Sequence, residues 1–328
     1  MKSIVIYYSQ TGNTKKIAEA IHSGMSQLAE KCDIAPLGEV ATKELRHYDL
    51  IGLGSPVPLP TIITNFINNM PSLKDRYGFT FCTHGTHPGD YIARMVAALR
   101  RKGLIVTGWN DWFGSAFIPI LPKPYYTDGH PDEIDLKEAK NFGREIVART
   151  RRISKGEVRV IPRLPRKGKY ERLYGIPPQV VPEEIRKALE EDIRKGYEEI
   201  GKCKPKLNVE KCKYPKCTIC MDNCPTHSIN LSASPPISYQ TCRPCLLWFC
   251  EQLCPTGAIE VDWETMDKLE DMLKSIFSLL AEPLRTFKDL RRFRSLVPFE
   301  EVGRDKPLYK IRRHPRLIIR DGVAQLRR

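Results

Sequence analysis

The alternation of apolar and polar positions divides the chain near residue 150. Before that point, short apolar runs alternate with stretches of helical period. Residues 2–8 predict a first strand, after which Ile17, Ala18, Ile21 and Met25 recur at helical spacing. Residues 48–54 predict a second strand, and Ile62, Ile63, Phe66 and Ile67 mark the next helix. A strand at 79–83 precedes a helix lined by Tyr91, Met95, Ala98 and Leu99. A strand at 104–107 and a closing helix at 134–148 complete the series. Such an alternation predicts an α/β fold, a parallel sheet covered by helices on both faces.

Beyond 150 the pattern changes. Arg151, Arg152, Lys155, Arg159, Arg163, Arg166, Lys167 and Lys169 crowd a stretch containing Pro and Gly. Residues 182–201 predict a charged helix with Ile185, Leu189, Ile193 and Tyr197 on one face. Nine of the eleven cysteines then fall between Cys203 and Cys254. An amphipathic helix is predicted at 266–280. A basic stretch at 284–294 carries Leu284, Phe287, Leu290 and Phe293, and 309–328 reads as a basic strand or extended tail. The expected organisation is a domain at 1–149, a basic connector or docking arm at 150–208, a cysteine domain at 209–262 and a basic extension at 263–328.

Composition narrows the class. Of 328 residues, 41% are hydrophobic and 28% charged, the balance of a folded rather than a disordered chain. No apolar run is long enough to span a bilayer, and the N-terminus lacks the apolar core of a signal peptide, so a cytoplasmic location is expected. The net charge of +14 permits an acidic protein partner, nucleic acid or an anionic surface. In a reducing compartment, cysteines gathered in one segment read as metal ligands rather than disulfides.

Two runs carry them. Cys212, Cys217, Cys220 and Cys224 end in Pro225; Cys242, Cys245, Cys250 and Cys254 end in Pro255. Similar tails follow, Thr226-His227-Ser228-Ile229 and Thr256-Gly257-Ala258-Ile259, so the region is an internal repeat. Thiolates a few residues apart on a tight loop can wrap three corners of one cubane, while a fourth before a proline turn points away. Paired zinc sites are the competing reading, but zinc knuckles do not usually extend into a third and fourth cysteine ending in Cys-Pro. The runs resemble those of bacterial two-cluster ferredoxins, with two extra residues between Cys212 and Cys217 and between Cys245 and Cys250. Trp248 and Phe249 lie in the second insertion. The resemblance implies two [4Fe–4S] clusters with the last cysteine of each run exchanged. Cys212, Cys217, Cys220 and Cys254 would hold one cluster, and Cys242, Cys245, Cys250 and Cys224 the other. Cys203 is expected to be a spare thiol, and Cys32 and Cys82 small buried apolar residues.

The first strand runs into Ser9-Gln10-Thr11-Gly12-Asn13-Thr14 and then a helix. Hydroxyls, an amide and a glycine at a helix N-terminus suit a phosphate. The spacing matches neither a Walker A loop nor Gly-x-Gly-x-x-Gly. Two further loops follow predicted strands: one carries Ser55, Pro56 and Val57, the other Thr83, His84, Gly85 and His87. Ligands bind at such carboxyl ends in open α/β sheets. These loops resemble those of flavodoxins over residues 1–149. The resemblance implies a doubly wound sheet of order 2-1-3-4-5, FMN with its phosphate at Ser9–Thr14, and a ring flanked by the other two loops. Residues 55–60 lack the aromatic that many flavodoxins stack on the ring; His84, His87 or Tyr91 are the candidates to replace it.

Together the halves resemble flavodoxin–ferredoxin fusion proteins of anaerobic bacteria and archaea. The resemblance implies a single-electron relay between the clusters and FMN, to or from a redox partner protein with an acidic docking surface. A second reading is an FMN-dependent reductase acting on a quinone, tetrapyrrole or corrinoid, with Asn110, Asp111, Trp112 and Phe113 suiting a pocket. Nucleic-acid binding through the basic stretches ranks below both, because no base-reading motif is present. No spacing links Ser, His and Asp into a triad, so no catalytic residue is assigned.

Overall fold

The structure is a computed structural model. It describes residues 1–57, 60–86, 88–121, 123–164, 198–199, 201–242, 247–268, 293–311, 313–320 and 323–327. Most of the expected helix at 182–201, the greater part of that at 266–280 and nearly all of the basic stretch 284–294 lie outside the described residues, as do His87 and Cys245. The chain forms two compact units. One comprises Met1–Ser115 and Thr127–Leu173, the other Ala116–Tyr126 and Tyr174–Arg328.

In the N-terminal unit the elements run β1 (Lys2–Tyr7), α1 (Asn13–Met25), β2 (Lys31–Pro36), β3 (Leu50–Pro56), α2 (Pro60–Asn69), β4 (Tyr77–His84), α3 (Tyr91–Arg101), β5 (Ile105–Phe113) and α4 (Glu133–Ser154). The five strands pair in parallel in the order β2-β1-β3-β4-β5. This is the doubly wound order that the resemblance to flavodoxins implies. Successive side chains on a strand face opposite sides, so each strand supplies two cores. Ile4, Ile6, Ile51 and Leu53 pack with Ile63 and Ile67 of α2 and Met95 and Leu99 of α3. Val5, Leu50, Phe79 and Phe81 pack with Ile17, Ile21 and Met25 of α1 and Ile146 and Val147 of α4. A capping box of Asp132 and Asp135 starts α4.

Helices α1 and α4 approach at backbone distance. A Cβ on Gly24 would sit 1.9 Å from the Lys140 carbonyl oxygen, and one on Gly143 would sit 2.2 Å from that of Ile21. Only glycine allows this contact.

Two features differ from the sequence expectation. Strand β2 was not marked by the apolar pattern, because Lys31-Cys32-Asp33-Ile34-Ala35-Pro36 is a partly exposed edge strand. Strand β5 runs six residues beyond the expected end at Thr107, so Trp112 lies in the sheet. Its ring meets Phe142 edge-on at 5.6 Å and is 3% exposed. Trp112 is therefore a core residue, not a pocket wall.

The cysteine unit is built as a duplication. Helical turns at Ile219–Asp222 and Phe249–Gln252 stand 30 positions apart. Leu207 pairs antiparallel with Ile259, and Ile229 with Ile237. Moving Ile229 forward and Ile237 back by the same 30 positions gives 259 and 207, so each half lends one strand to the other. Ile229, Ile237, Ala258 and Ile259 form an apolar core with Cys220, Cys224, Cys250 and Cys254. The C-terminal segment folds into a hairpin of Leu317–Arg320 against Val323–Leu326. Arg316, 5% exposed, donates its backbone N–H to the Gln252 carbonyl and pairs with the buried Glu251 carboxylate.

Candidate functional site: three strand-end loops and two thiol cavities

In the N-terminal unit the three suspected loops are tied together at the carboxyl ends of β1, β3 and β4. Gly12 precedes α1 at φ 84, a left-handed conformation that glycine tolerates at no steric cost. Its N–H donates to Ser9 Oγ at 3.1 Å, which closes the loop on itself. Helix α1 then starts with no side-chain cap and no acidic residue in its first turn. Helix N–H groups left without a side-chain acceptor attract an anion. Thr14 Oγ1 and Thr83 Oγ1 share a hydrogen bond of 2.8 Å, joining the first loop to the third. Asn13 Nδ2 donates to the Ser115 carbonyl at 2.7 Å. The Val57 N–H donates to the Thr83 carbonyl at 3.0 Å, joining the second loop to the third.

The side chains divide by orientation. Ser9, Gln10 and Thr11 remain half-buried at the mouth of the first loop, whereas Asn13 and Thr14 turn inward. Ser55 Oγ meets Tyr91 Oη at 2.8 Å, and both residues are fully buried. Tyr91 is thus packed in the core and cannot stack on a ligand ring. His84 is 5% exposed; its Nε2 lies 2.9 Å from Asp111 Oδ2, and Phe113 meets its ring edge-on at 4.8 Å. Nδ1 of His84 is buried without a partner among the described residues. A buried ring nitrogen in that state invites an outside hydrogen bond. Gly85 continues the loop. The donor set fits a phosphate-bearing aromatic cofactor: an uncapped helix start for the anion and one orphaned ring nitrogen beside the loop that would flank its ring.

In the cysteine unit the thiols sort into two cavities. One is lined by Cys212, Cys217, Cys220 and Cys254. The other is lined by Cys224, Cys242 and Cys250 and also by Cys203, together with Trp248 and Phe249. Each cavity therefore draws on both motifs. The Cys220 thiol is pushed up to about 12, first by burial and then by Cys254, Cys212 and Cys217 beside it. Such a set of crowded thiols resists ionising unless a cation joins it. Backbone N–H groups of Ser228 and Ala258 donate to Cys224 Sγ at 3.3 Å and Cys254 Sγ at 3.1 Å. These two bonds are again repeat mates.

Four thiolates around one zinc at about 2.3 Å would lie within about 4 Å of each other. Among the described residues, the one group of three donors within 4.8 Å is His130, Asp132 and Asp135, where Asp135 also closes the α4 cap. No three of the described cysteine sulfurs lie within 4.8 Å of one another.

Cys203, expected to be a spare thiol, is 4% exposed and packs with Ile120, Trp248 and Tyr309, and it also lines the second cavity beside Cys224, Cys242 and Cys250. Its backbone carbonyl accepts from Trp248 Nε1 at 3.0 Å. Cys82 is fully buried and Cys32 partly so. Residue pattern did not reveal that Ala116–Tyr126 belongs to the cysteine unit. Neither did it reveal that Trp248, held at φ 41, forms a cavity wall.

Comparison with known proteins locates the resemblance in the N-terminal unit. A family profile described as Flavodoxin domain matches residues 4–105. A flavodoxin from the domain Archaea matches at 22% identity over 46% of this chain and 99% of its own, with a TM-score of 0.36. Oxidised flavodoxin 1 from Bacillus cereus matches at 16% identity over 45% of this chain and 98% of its own, TM-score 0.35. The flavodiiron protein from Giardia intestinalis matches at 18% identity over 49% of this chain and 38% of its own, TM-score 0.35. None of the curated proteins compared matches. The N-terminal unit thus contains a flavodoxin-like domain. No helix among the described residues is long and apolar enough to cross a membrane.

Proposed function

We propose that the chain is an electron-transfer iron–sulfur flavoprotein carrying FMN in its N-terminal unit and two [4Fe–4S] clusters in its cysteine unit. The observation that carries the reading is the sorting of thiols into two cavities, each fed by both motifs. FMN takes one or two electrons and each cluster one, so the set couples one-electron donors to two-electron chemistry.

The residues divide the work. The loop from Ser9 to Thr14 and the start of α1 would hold the phosphate, with Gly12 permitting the turn. Ser55, Pro56, Val57, Thr83, His84, Gly85 and His87 would flank the ring. Asp111 orients His84, leaving Nδ1 for a hydrogen bond to the cofactor. Cys212, Cys217, Cys220 and Cys254 would ligate one cluster; Cys242, Cys245, Cys250 and Cys224 the other. The Ser228 and Ala258 N–H groups, which donate to Cys224 and Cys254 Sγ, would raise the potential of a cluster held there, as hydrogen bonds to sulfur do. The net charge of +14 suits a redox partner with an acidic docking surface.

Anaerobic purification with flavin, iron and sulfide counts tests this. The reading expects one flavin and about eight irons per chain, four per cubane. Zinc without flavin would sink it. Turnover of a quinone, tetrapyrrole or corrinoid by the isolated protein would instead favour a reductase.

A further inference from the structure

The cysteine unit contains a line of aromatic rings for which cluster ligation has no need. Trp248 lines the cavity of Cys224, Cys242 and Cys250. Its ring meets Trp263 edge-on, with centroids 5.4 Å apart. Trp263 stacks on Tyr309 at 5.2 Å, their planes 29° apart. The Tyr309 hydroxyl donates to Asp267 Oδ1 at 2.8 Å. The line thus starts at 3% exposed Trp248, passes through 6% exposed Tyr309 and ends on a carboxylate that is 54% exposed.

We infer that Trp248, Trp263 and Tyr309 form a relay for oxidising equivalents, ending in a redox-active tyrosine, which draws a strong one-electron oxidant derived from dioxygen away from the second thiol cavity. The inference rests on the proposed clusters only for what is protected. The oxidant takes one electron from the Trp248 indole, and Trp263 replaces it. Tyr309 replaces the electron lost by Trp263, and its phenolic proton passes to Asp267. The net change is one electron from Tyr309 to the oxidant and one proton from Tyr309 Oη to the Asp267 carboxylate. The products are the reduced oxidant, a neutral tyrosyl and a carboxylic acid.

Local charge sets the direction. The Arg316 guanidinium lies 5.9 Å from the Trp263 ring centre and disfavours a lasting positive charge on that indole. Tyr309 escapes the same penalty from Lys310, 5.6 Å from its ring, because its oxidised form is neutral once the proton has left. Burial, and then the Asp267 carboxylate, push Tyr309 up to about 12, so the phenol keeps its proton until it is oxidised. The Nε1 bond of Trp248 to Cys203 fixes the inner end of the line.

Flash oxidation of the full-length holoprotein by photogenerated tris(bipyridine)ruthenium(III), read by freeze-quench EPR, tests the relay. A tyrosyl signal is expected in the wild type. It should vanish in Tyr309→Phe, and also in Trp263→Phe, where Tyr309 is intact and ring packing is kept. Asp267→Asn should slow its appearance. A wild-type signal in either ring variant would overturn the relay. Iron release on exposure to dioxygen should be faster in both ring variants than in the wild type; equal release would overturn the protective role. An iron count short of two cubanes with the tyrosyl intact would retire the cluster reading and leave the relay standing.

Discussion

Cys220 and Cys224 are four residues apart yet line different cavities. The turn at Ile219–Asp222 keeps Cys220 with Cys212 and Cys217, and the Cys224-Pro225 step carries the next thiol away. Cys224→Ala should therefore remove the cluster of the second motif and spare that of its own. The iron count is expected to fall from about eight to about four, with the EPR signal of the first motif's cluster retained. Loss of that cluster instead would refute the exchange. Cys203→Ala should leave the count unchanged. The cysteine sets were legible in the sequence because ligand spacing is local. The Thr14–Thr83 bond and the burial of Tyr91 were not, because they join residues 69 and 36 positions from their partners. A titration belongs to this scale too. Burial, then Arg316 and Lys211, hold the His314 pKa below the usual histidine value. The folded chain thus refuses a proton that the unfolded chain accepts. Stability should fall as pH drops through the ordinary histidine value. His314→Gln should flatten the urea midpoint against pH between about pH 5 and 8.

At the scale of elements, the α1–α4 crossing depends on glycine at both contact points. Gly24→Ala would drive a methyl into the Lys140 carbonyl, and the helices would have to separate. A loss of about 1–3 kcal/mol is expected from overpacking, seen as faster hydrogen exchange in the α1 and α4 amides. The strands buried on both faces were legible because their runs are rich in apolar residues: Ile4, Val5 and Ile6 in β1, and Phe79, Phe81 and Cys82 in β4. Edge strand β2 was not, because half-exposed Lys31 to Pro36 carries no such run. The far half of β5 was hidden for a similar reason, since Asn110 and Asp111 interrupt its apolar pattern. The expected tail at 309–328 proved to include a hairpin that brings Arg316 to Glu251. Removing that guanidinium would strand a buried carboxylate. Arg316→Met is expected to cost about 3–5 kcal/mol, read from urea unfolding of the cysteine unit.

At the scale of the molecule, chain order and compact units do not coincide. Residues 116–126 leave the N-terminal unit after β5 and pack in the cysteine unit, before the chain returns for α4. Tyr309 donates its N–H to the Pro119 carbonyl, and Asp305 bridges to Lys123. Residue pattern could not reveal this excursion, because a loop that packs elsewhere looks like any other loop. The 30-residue repeat, in contrast, was visible from the cysteines alone and returns in the paired strands and turns. The central proposal is one flavin and two clusters that exchange electrons within a single chain. An anaerobic reductive titration of the purified holoprotein, followed by absorbance and EPR, tests it most directly. The account predicts uptake of about four electrons per chain, two by flavin and one by each cluster, with cluster signals appearing on reduction. Uptake of about two electrons by flavin alone, with no cluster signal, would contradict it.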